Sequence, residues 1–425
     1  MRRGITATAL VAALALAATA CGSDDDKSDG GSKSSGELSG TVTWWDTSTA
    51  GSEDKVFKKI AEGFEKQHPK VDVKYVNVPF GDAQNKFKNA AQAGSGAPDV
   101  IRSEVAWTPE FADLGYLAPL DGTPALQKES DFLKQAAAST KYNGKTFAVP
   151  QVIDSLGIFY NKKIFKEAGV EVPTTMDELK SVSKKIKSKT GKTGLYLRGD
   201  DAYWFLPFLY GEGGDMVNAA DKAVTIDDAA GVKAMKLVKD LVDSGVAKTD
   251  ATDGWDNMQA SFKDGDVAMM INGPWAVADT YAGKEFKDKA NLGVAPVPAG
   301  SAAQGAPQGG HNLAVYAGSK NLEASYAFVD YMTSVKTQAQ VTKELNLLPT
   351  RTSAYAEESV VDNEIVGFFK PVVESAVERP WIPETGSLFA PLVTEYTKAL
   401  TGQTSPEKAV KTTGTAYRKL LDGWK

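Results

Sequence analysis

Carboxylates stand beside aromatic rings at several points in this chain, and that pairing is its most specific chemistry. Glu104 precedes Trp107, Asp201 precedes Tyr203, Trp275 follows Asn272-Gly273-Pro274, and Trp381 is flanked by Pro380 and Pro383. A sugar ring has apolar C–H faces and a rim of hydroxyls. Flat aromatic side chains suit the faces, and an ionised Asp or Glu accepts two hydroxyl hydrogen bonds at once. Any one of the eight tryptophans would serve equally well in a core. Trp44, inside an apolar strand, is assigned there.

Other chemistries find less support. The chain has two histidines and one cysteine, Cys21. His68 precedes Pro69 at a helix end and reads as a solvated cap. No Gly-x-Ser-x-Gly elbow is present. Gly144-Lys145-Thr146 and Gly191-Lys192-Thr193 lack the glycine that a phosphate-binding loop needs five positions earlier, so both read as turns. No His/Cys cluster has metal-ligand spacing, and Asp250 to Asp256 lacks the spacing of a calcium loop. No cofactor or metal is therefore expected. The 54 acidic residues leave open the carboxylate pair of a glycosidase. A formal net charge of −6 argues against a nucleic-acid partner.

The elements that must position these groups alternate. Thr41 to Trp45 reads as a buried strand, and Glu53 to Gln67 places Val56, Phe57, Ile60 and Phe64 on one helical face. His68-Pro69 ends that helix. Val71 to Val78 alternates as a strand. A second helix over Ala83–Ala93 stops at Gly94-Ser95-Gly96, and Asp99 to Ile101 begins another strand. This order means a parallel or mixed sheet covered by helices. Val232, Met235, Val238, Leu241 and Val242 line a later helix, and Ala324, Ala327, Phe328, Tyr331 and Met332 another.

The start of the chain carries an address. Met1-Arg2-Arg3, an apolar run from Ala9 to Ala18, and small residues before Cys21 form the pattern of a secretory signal. The cysteine at the cut resembles a bacterial lipobox, with Ala18 where leucine is usual. That resemblance implies lipidation of Cys21 and a membrane-tethered, extracytoplasmic protein. The export route, general secretory or twin-arginine, stays open. Residues 1–20 would be the signal and 21–39 a flexible tether, being rich in Ser, Gly and Asp. With no second cysteine there is no disulfide, so stability must come from a large core, and the length suggests two domains.

One stretch is more specific. Ala268-Met269-Met270-Ile271-Asn272-Gly273-Pro274-Trp275, with Phe262-Lys263-Asp264-Gly265 before it, resembles the signature of family-1 extracellular solute-binding proteins of sugar importers. Tyr142-Asn143-Gly144-Lys145, Ala148-Val149-Pro150 and Tyr160-Asn161-Lys162 match the segment where that family's chain first crosses between lobes. The similarity runs from about Gly40 to the C-terminus and is greatest to maltose- and maltodextrin-binding proteins.

The resemblance implies an α/β fold of the periplasmic-binding-protein type II class, two α/β lobes with a ligand cleft and three hinge crossings near Val152, Pro298 and Leu348. An N-lobe would hold 40–152 and 299–347, and a C-lobe 153–298 and 348–425. It implies no enzymatic activity. It implies a monomer that binds maltose, a maltodextrin, trehalose or another oligosaccharide and hands it to a membrane permease driven by a cytoplasmic ATPase. Carried onto this chain, the family's site implies that Trp275, Tyr203 and Trp381 stack on sugar rings. Asp201 and Asp154 would accept hydroxyls, and Glu104 and Trp107 would reach the sugar from the N-lobe. The early Asp-Lys pair of the best-known maltose binders is replaced by Asp46-Thr47-Ser48-Thr49, which leaves Asp46 and Ser48 as candidates. His311, in Gly309-Gly310-His311-Asn312, is a further candidate facing the cleft. A binding protein of this fold for a non-sugar ligand is disfavoured by the aromatic–carboxylate pairs.

Overall fold

Residues 37–425 are described by the structure, a computed structural model. The leader, Cys21 and the tether as far as residue 36 lie outside the described residues. From Leu38 onward the chain forms one compact unit.

Apart from two short two-stranded hairpins, strand pairing sorts the described chain into two sheets. β1 (Gly40–Asp46), β2 (Val71–Asn77), β3 (Val100–Glu104) and β4 (Ala148–Asp154) enter the first. β5 (Gly157–Asn161), β6 (Thr193–Tyr196), β7 (Ala247–Lys248), β8 (Val267–Asn272) and β9 (Leu292–Pro296) make the second. β10 (Gly309–Val315) and β11 (Leu348–Pro349) return to the first. The strand orders are β11-β4-β10-β3-β1-β2 and β7-β6-β8-β5-β9. The chain thus passes between sheets at 155–156, between Pro296 and Gly309, and again after Pro349. Val152 pairs with His311 and Pro349 inside the first sheet.

The two lobes are built by the same logic. β1 runs parallel to β2 and β3, while β10 runs antiparallel to both β3 and β4. β1, β3 and β4 therefore point the same way, and Asp46, Glu104 and Asp154 end them along one carboxyl edge. In the second sheet β8 is parallel to β6, so Trp275 and Asp201-Ala202-Tyr203 follow strands that end on one edge as well. Ligands of α/β sheets bind outside the carboxyl ends of strands, where connections diverge.

The cores explain why these elements form. Adjacent strand residues face opposite sides, so Trp44 and Trp45 enter two different clusters. Trp44 packs edge-on to Phe57 and Phe328 and is fully buried, as its strand pattern requires. The helix α1 (Glu53–Gln67) buries Phe57, Ile60 and Phe64 beneath it. Its end is closed by His68, whose backbone N–H donates to the Phe64 carbonyl at 2.9 Å and whose ring lies 4.6 Å from the Phe64 ring. α2 (Phe80–Ala93) and α3 (Trp107–Asp113) cover the other face. The helix α2 starts three residues before the expected Ala83, with Pro79 as its N-cap.

In the second lobe, α4 (Ala229–Asp243) buries Met235, Val238 and Leu241. In the first, α5 (Leu322–Met332) buries Ala324, Phe328 and Met332. After the third passage, α6 (Glu364–Glu374), α7 (Thr385–Leu400) and α8 (Pro406–Leu420) pack with the second lobe. Gly144 sits in a tight hairpin turn and Gly191 in a left-handed helix cap, so neither belongs to a phosphate loop. Among the described residues no helix is long and apolar enough to cross a membrane.

Candidate functional site

The carboxyl edge of the first sheet presents three acidic residues whose surroundings differ. Asp46 is fully buried and its acceptor capacity is filled by the protein. Its carboxylate accepts from the Ser48 backbone N–H at 3.1 Å, from the Ser48 hydroxyl, and from the Tyr75 hydroxyl at 2.6 Å. The Arg102 Nε lies 3.8 Å away. Burial nevertheless pushes the Asp46 pKa up, with Arg102, Ser48 and Tyr75 opposing the rise. Asn77 adds a hydrogen bond to the Ser48 carbonyl at 2.9 Å. Ser48 thereby spends both its N–H and its O–H on Asp46.

Glu104, ending β3, is half committed. One oxygen accepts from the Ala106 backbone N–H at 3.0 Å, and the other pairs with the guanidinium of Arg379, which comes from the other lobe. Arg379 is buried, and its Nε donates to the Gln308 carbonyl at 2.9 Å, in the second passage between sheets. Its guanidinium carbon stands 5.6 Å from the Tyr203 ring and 5.8 Å from the Trp381 ring, within cation–π range.

Asp154 is the exception. It ends β4 two residues before the second sheet begins and is only 6 % exposed. Its carboxylate accepts no hydrogen bond from any described residue, yet its oxygens are not sealed from solvent. Burial pushes its pKa up to about 7, with Glu104 adding to the rise and Arg379 and Arg102 opposing it. Gly309 is what admits it. A Cβ at that position would overlap the Asp154 Oδ1 and press on the Tyr203 hydroxyl. The Tyr203 hydroxyl in turn donates to the Pro307 carbonyl at 3.3 Å.

Two rings in this region hold unused polar atoms. Both nitrogens of His311 and the Nε1 of Trp381 are buried without a partner among the described residues. His311 pairs in register with Glu104 across the strands. Burial holds its pKa well below the usual histidine range, helped by Arg102 and Arg379, so the imidazole is neutral and offers one donor and one acceptor. A buried, unpaired polar group is costly unless something else satisfies it.

The remaining sequence candidates are spread around this group. Asp201 caps a short 3-10 turn, accepting from the Tyr203 backbone N–H at 2.9 Å, and lies 3.4 Å from Arg198. Burial raises its pKa against the pull of Arg198. Trp275 follows β8, its ring folded over Gly273, where a Cβ would strike it. It packs against the apolar clusters of both lobes. Trp107 opens α3, 6 % exposed, with Phe80 stacked on it at 5.2 Å. The structure therefore gathers Glu104, Asp154, Tyr203, His311 and Trp381 around Arg379. It leaves Asp46 and Ser48 in a network of their own and Asp201 beside Arg198. No group of His, Cys, Asp or Glu among the described residues is arranged to hold a metal.

Residues 48–339, more than half the chain, match the model of the bacterial extracellular solute-binding proteins. The chain belongs to that family. The GacH receptor of Streptomyces glaucescens, solved unliganded and with acarbose and an acarbose homologue, is 65 % identical over 92 % of this chain and 100 % of its own, with a TM-score of 0.90. A maltooligosaccharide ABC transporter solute-binding lipoprotein of Streptococcus pneumoniae is 26 % identical over 98 % of this chain and 96 % of its own. The diacetylchitobiose-binding protein DasA of Streptomyces coelicolor is 27 % identical over 99 % of each chain. The two-lobe type II fold of this solute-binding protein is that of its structural neighbours.

Four residues of this solute-binding protein escaped the sequence reading. Arg379 stands alone between Glu378 and Pro380, with no pattern to mark a partner 275 positions away. Arg102 lies mid-strand, where a buried arginine is unusual; its Nε donates to Gln151 at 2.8 Å. Tyr75 reads in the sequence only as an alternating strand residue. Phe80 lies three residues ahead of the helix expected over Ala83–Ala93.

Proposed function

We propose that this solute-binding protein captures maltose, a maltodextrin or an amino-linked analogue such as acarbose outside the cell and delivers it to a membrane permease. The observation that carries this reading is Asp154, a nearly buried carboxylate that accepts no hydrogen bond from any described residue, set beside the Tyr203 hydroxyl and near Arg379, around which Trp381 and the unpaired nitrogens of His311 also gather. Sugar hydroxyls supply the missing donors, and the aromatic rings supply faces for the pyranose C–H groups. The ligands named for GacH and for the pneumococcal protein point to α-linked glucose units. The ligand named for DasA is the reason another oligosaccharide, trehalose included, stays within the class to be tested.

The mechanism is binding and handover. Asp154, expected with the second lobe, pairs instead in the first sheet and so faces the ligand from the first lobe with Glu104 and His311, while Tyr203, Trp275 and Trp381 approach from the second. A sugar contacts both sets only when the lobes close about the three passages, so ligand shifts the population toward the closed form. Micromolar affinity, about −8 kcal/mol, suits capture followed by release. Cys21 would carry the lipid anchor, and the closed monomer would dock on a permease driven by a cytoplasmic ATPase. The protein itself performs no reaction on the sugar.

Isothermal titration with maltose, maltotriose, trehalose and acarbose, with mass spectrometry of the recovered sugars, tests this. Micromolar binding of an α-glucan or of acarbose with the sugar intact supports it. Binding of none of them, or cleavage of any, overturns it.

A further inference from the structure

Phe80 is the one aromatic among the four large hydrophobic side chains that stand exposed in the described residues, at 50 %. Its ring stacks on Trp107 with centroids 5.2 Å apart and planes 29° apart. Trp107 is covered from behind by Phe111, 6.1 Å away. One face of Phe80 therefore rests on the buried Trp107 ring, while half of the Phe80 surface stays open to solvent. A second observation points to the same place. The rings of Phe80 and His311 lie roughly perpendicular with centroids 6.1 Å apart, and the two His311 ring nitrogens have no partner among the described residues. The location is between the lobes: Gln84, one turn along α2, reaches Gly386 at the start of α7, so closely that a Cβ there would meet its Nε2 at 2.6 Å.

We propose that Phe80, backed by Trp107 and edged by His311, forms a further sugar subsite that receives an outer ring of a longer oligosaccharide and so sets chain-length preference. A pyranose ring laid on the open surface of Phe80 covers apolar area that water now wets. A hydroxyl at its rim satisfies the neutral imidazole as donor or acceptor. The rim around it is polar and already fixed, since Gln84 donates to Glu110 at 2.6 Å and Lys88 pairs with Glu110 at 2.8 Å. The shelf is thus preformed, and little ordering cost is expected when an outer ring docks. Such a subsite explains why a large aromatic is left half in water at the entrance of α2. It also gives Trp107 a supporting role, holding Phe80 flat, in place of direct stacking on the sugar.

This inference rests on the oligosaccharide reading above, and the test separates the two. Wild type, Phe80→Ala and Phe80→Trp are titrated with maltose, maltotriose, maltotetraose and acarbose. In wild type, affinity rises with chain length. In Phe80→Ala, the loss for maltotetraose and acarbose exceeds the loss for maltose by about tenfold, the scale of one aromatic contact. Phe80→Trp restores the rise, which a merely structural role would not require. Equal losses at every length, or no loss at any, overturn the subsite while leaving the sugar reading intact. Wild type that binds none of the four sugars overturns both.

Discussion

Asp46 and Asp154 end two parallel strands of one sheet, both nearly or fully buried, and they have opposite fates. Asp46 is met by Ser48, Tyr75 and Arg102. Asp154 is met by a glycine, a tyrosine hydroxyl turned toward another acceptor, and no donor at all. The same residue type at the same strand edge is structural in one case and held ready in the other. Burial alone does not mark a binding carboxylate. What marks it is burial with unfilled acceptor capacity, because such a group is stable only when a ligand or water completes it.

The largest effect expected from this contrast falls on binding. Asp154→Asn should weaken oligosaccharide affinity by about ten- to a hundredfold, the range for a lost charged hydrogen bond. It should not lower the folded protein's stability, since no protein contact is removed. Titration and urea unfolding on one sample check both halves. Asp46→Ala should do the reverse. It strands Arg102 and the Tyr75 hydroxyl, costing about 3 kcal/mol of stability in urea unfolding. The folded remainder should keep its sugar affinity within about threefold of wild type. If Asp46→Ala abolishes binding in protein that is still folded, the contrast is broken.

Arg379→Gln comes next. It leaves Glu104 without its cation and removes one of the groups opposing the rise of Asp154. Affinity at neutral pH should fall about tenfold, and its pH dependence should move upward. A shift in affinity without a shift in pH profile would limit Arg379 to bracing the lobes.

The smallest and most diagnostic effect is that of pH. Sugar hydroxyls donate to the ionised form of Asp154, so affinity should rise as pH climbs through about 7, and binding below that pH should release a proton. Stability follows the opposite sign. The native state holds the Asp154 proton between its ordinary carboxylate pKa and about 7, whereas the unfolded chain has lost it. The stabilising contribution is therefore present at acid pH and lost as pH rises through about 7. Both trends should vanish in Asp154→Asn. Calorimetry in buffers of different ionisation enthalpy reads the proton release directly.

Much of the fold was legible because its signals are local. Glu53–Gln67 has a clean helical stripe, and α1 begins and ends at those residues. Val71 to Asn77 alternates as expected of a strand exposed on one side. The family resemblance named Asp154 as a candidate but set it beyond the first crossing near Val152, whereas it ends β4 inside the first sheet. The partners of the candidate residues were not legible. Arg102 crosses from β3 to Asp46 and Gln151, and Arg379 joins Glu104 from the far end of the chain. Such contacts depend on how strands 50 to 300 residues apart are laid side by side, which no short pattern encodes. Phe80 was hidden for a local reason: Pro79 stands just outside α2 as its N-cap, so Phe80 opens the helix three residues ahead of the expected start at Ala83.

A crystal structure of the protein with maltotriose or acarbose would test the central contrast most directly. The account predicts a sugar hydroxyl at about 2.7 Å from an Asp154 oxygen, with Asp46 still held by Ser48 and Tyr75. A sugar bound to Asp46, with those contacts broken and Asp154 left bare, would contradict it.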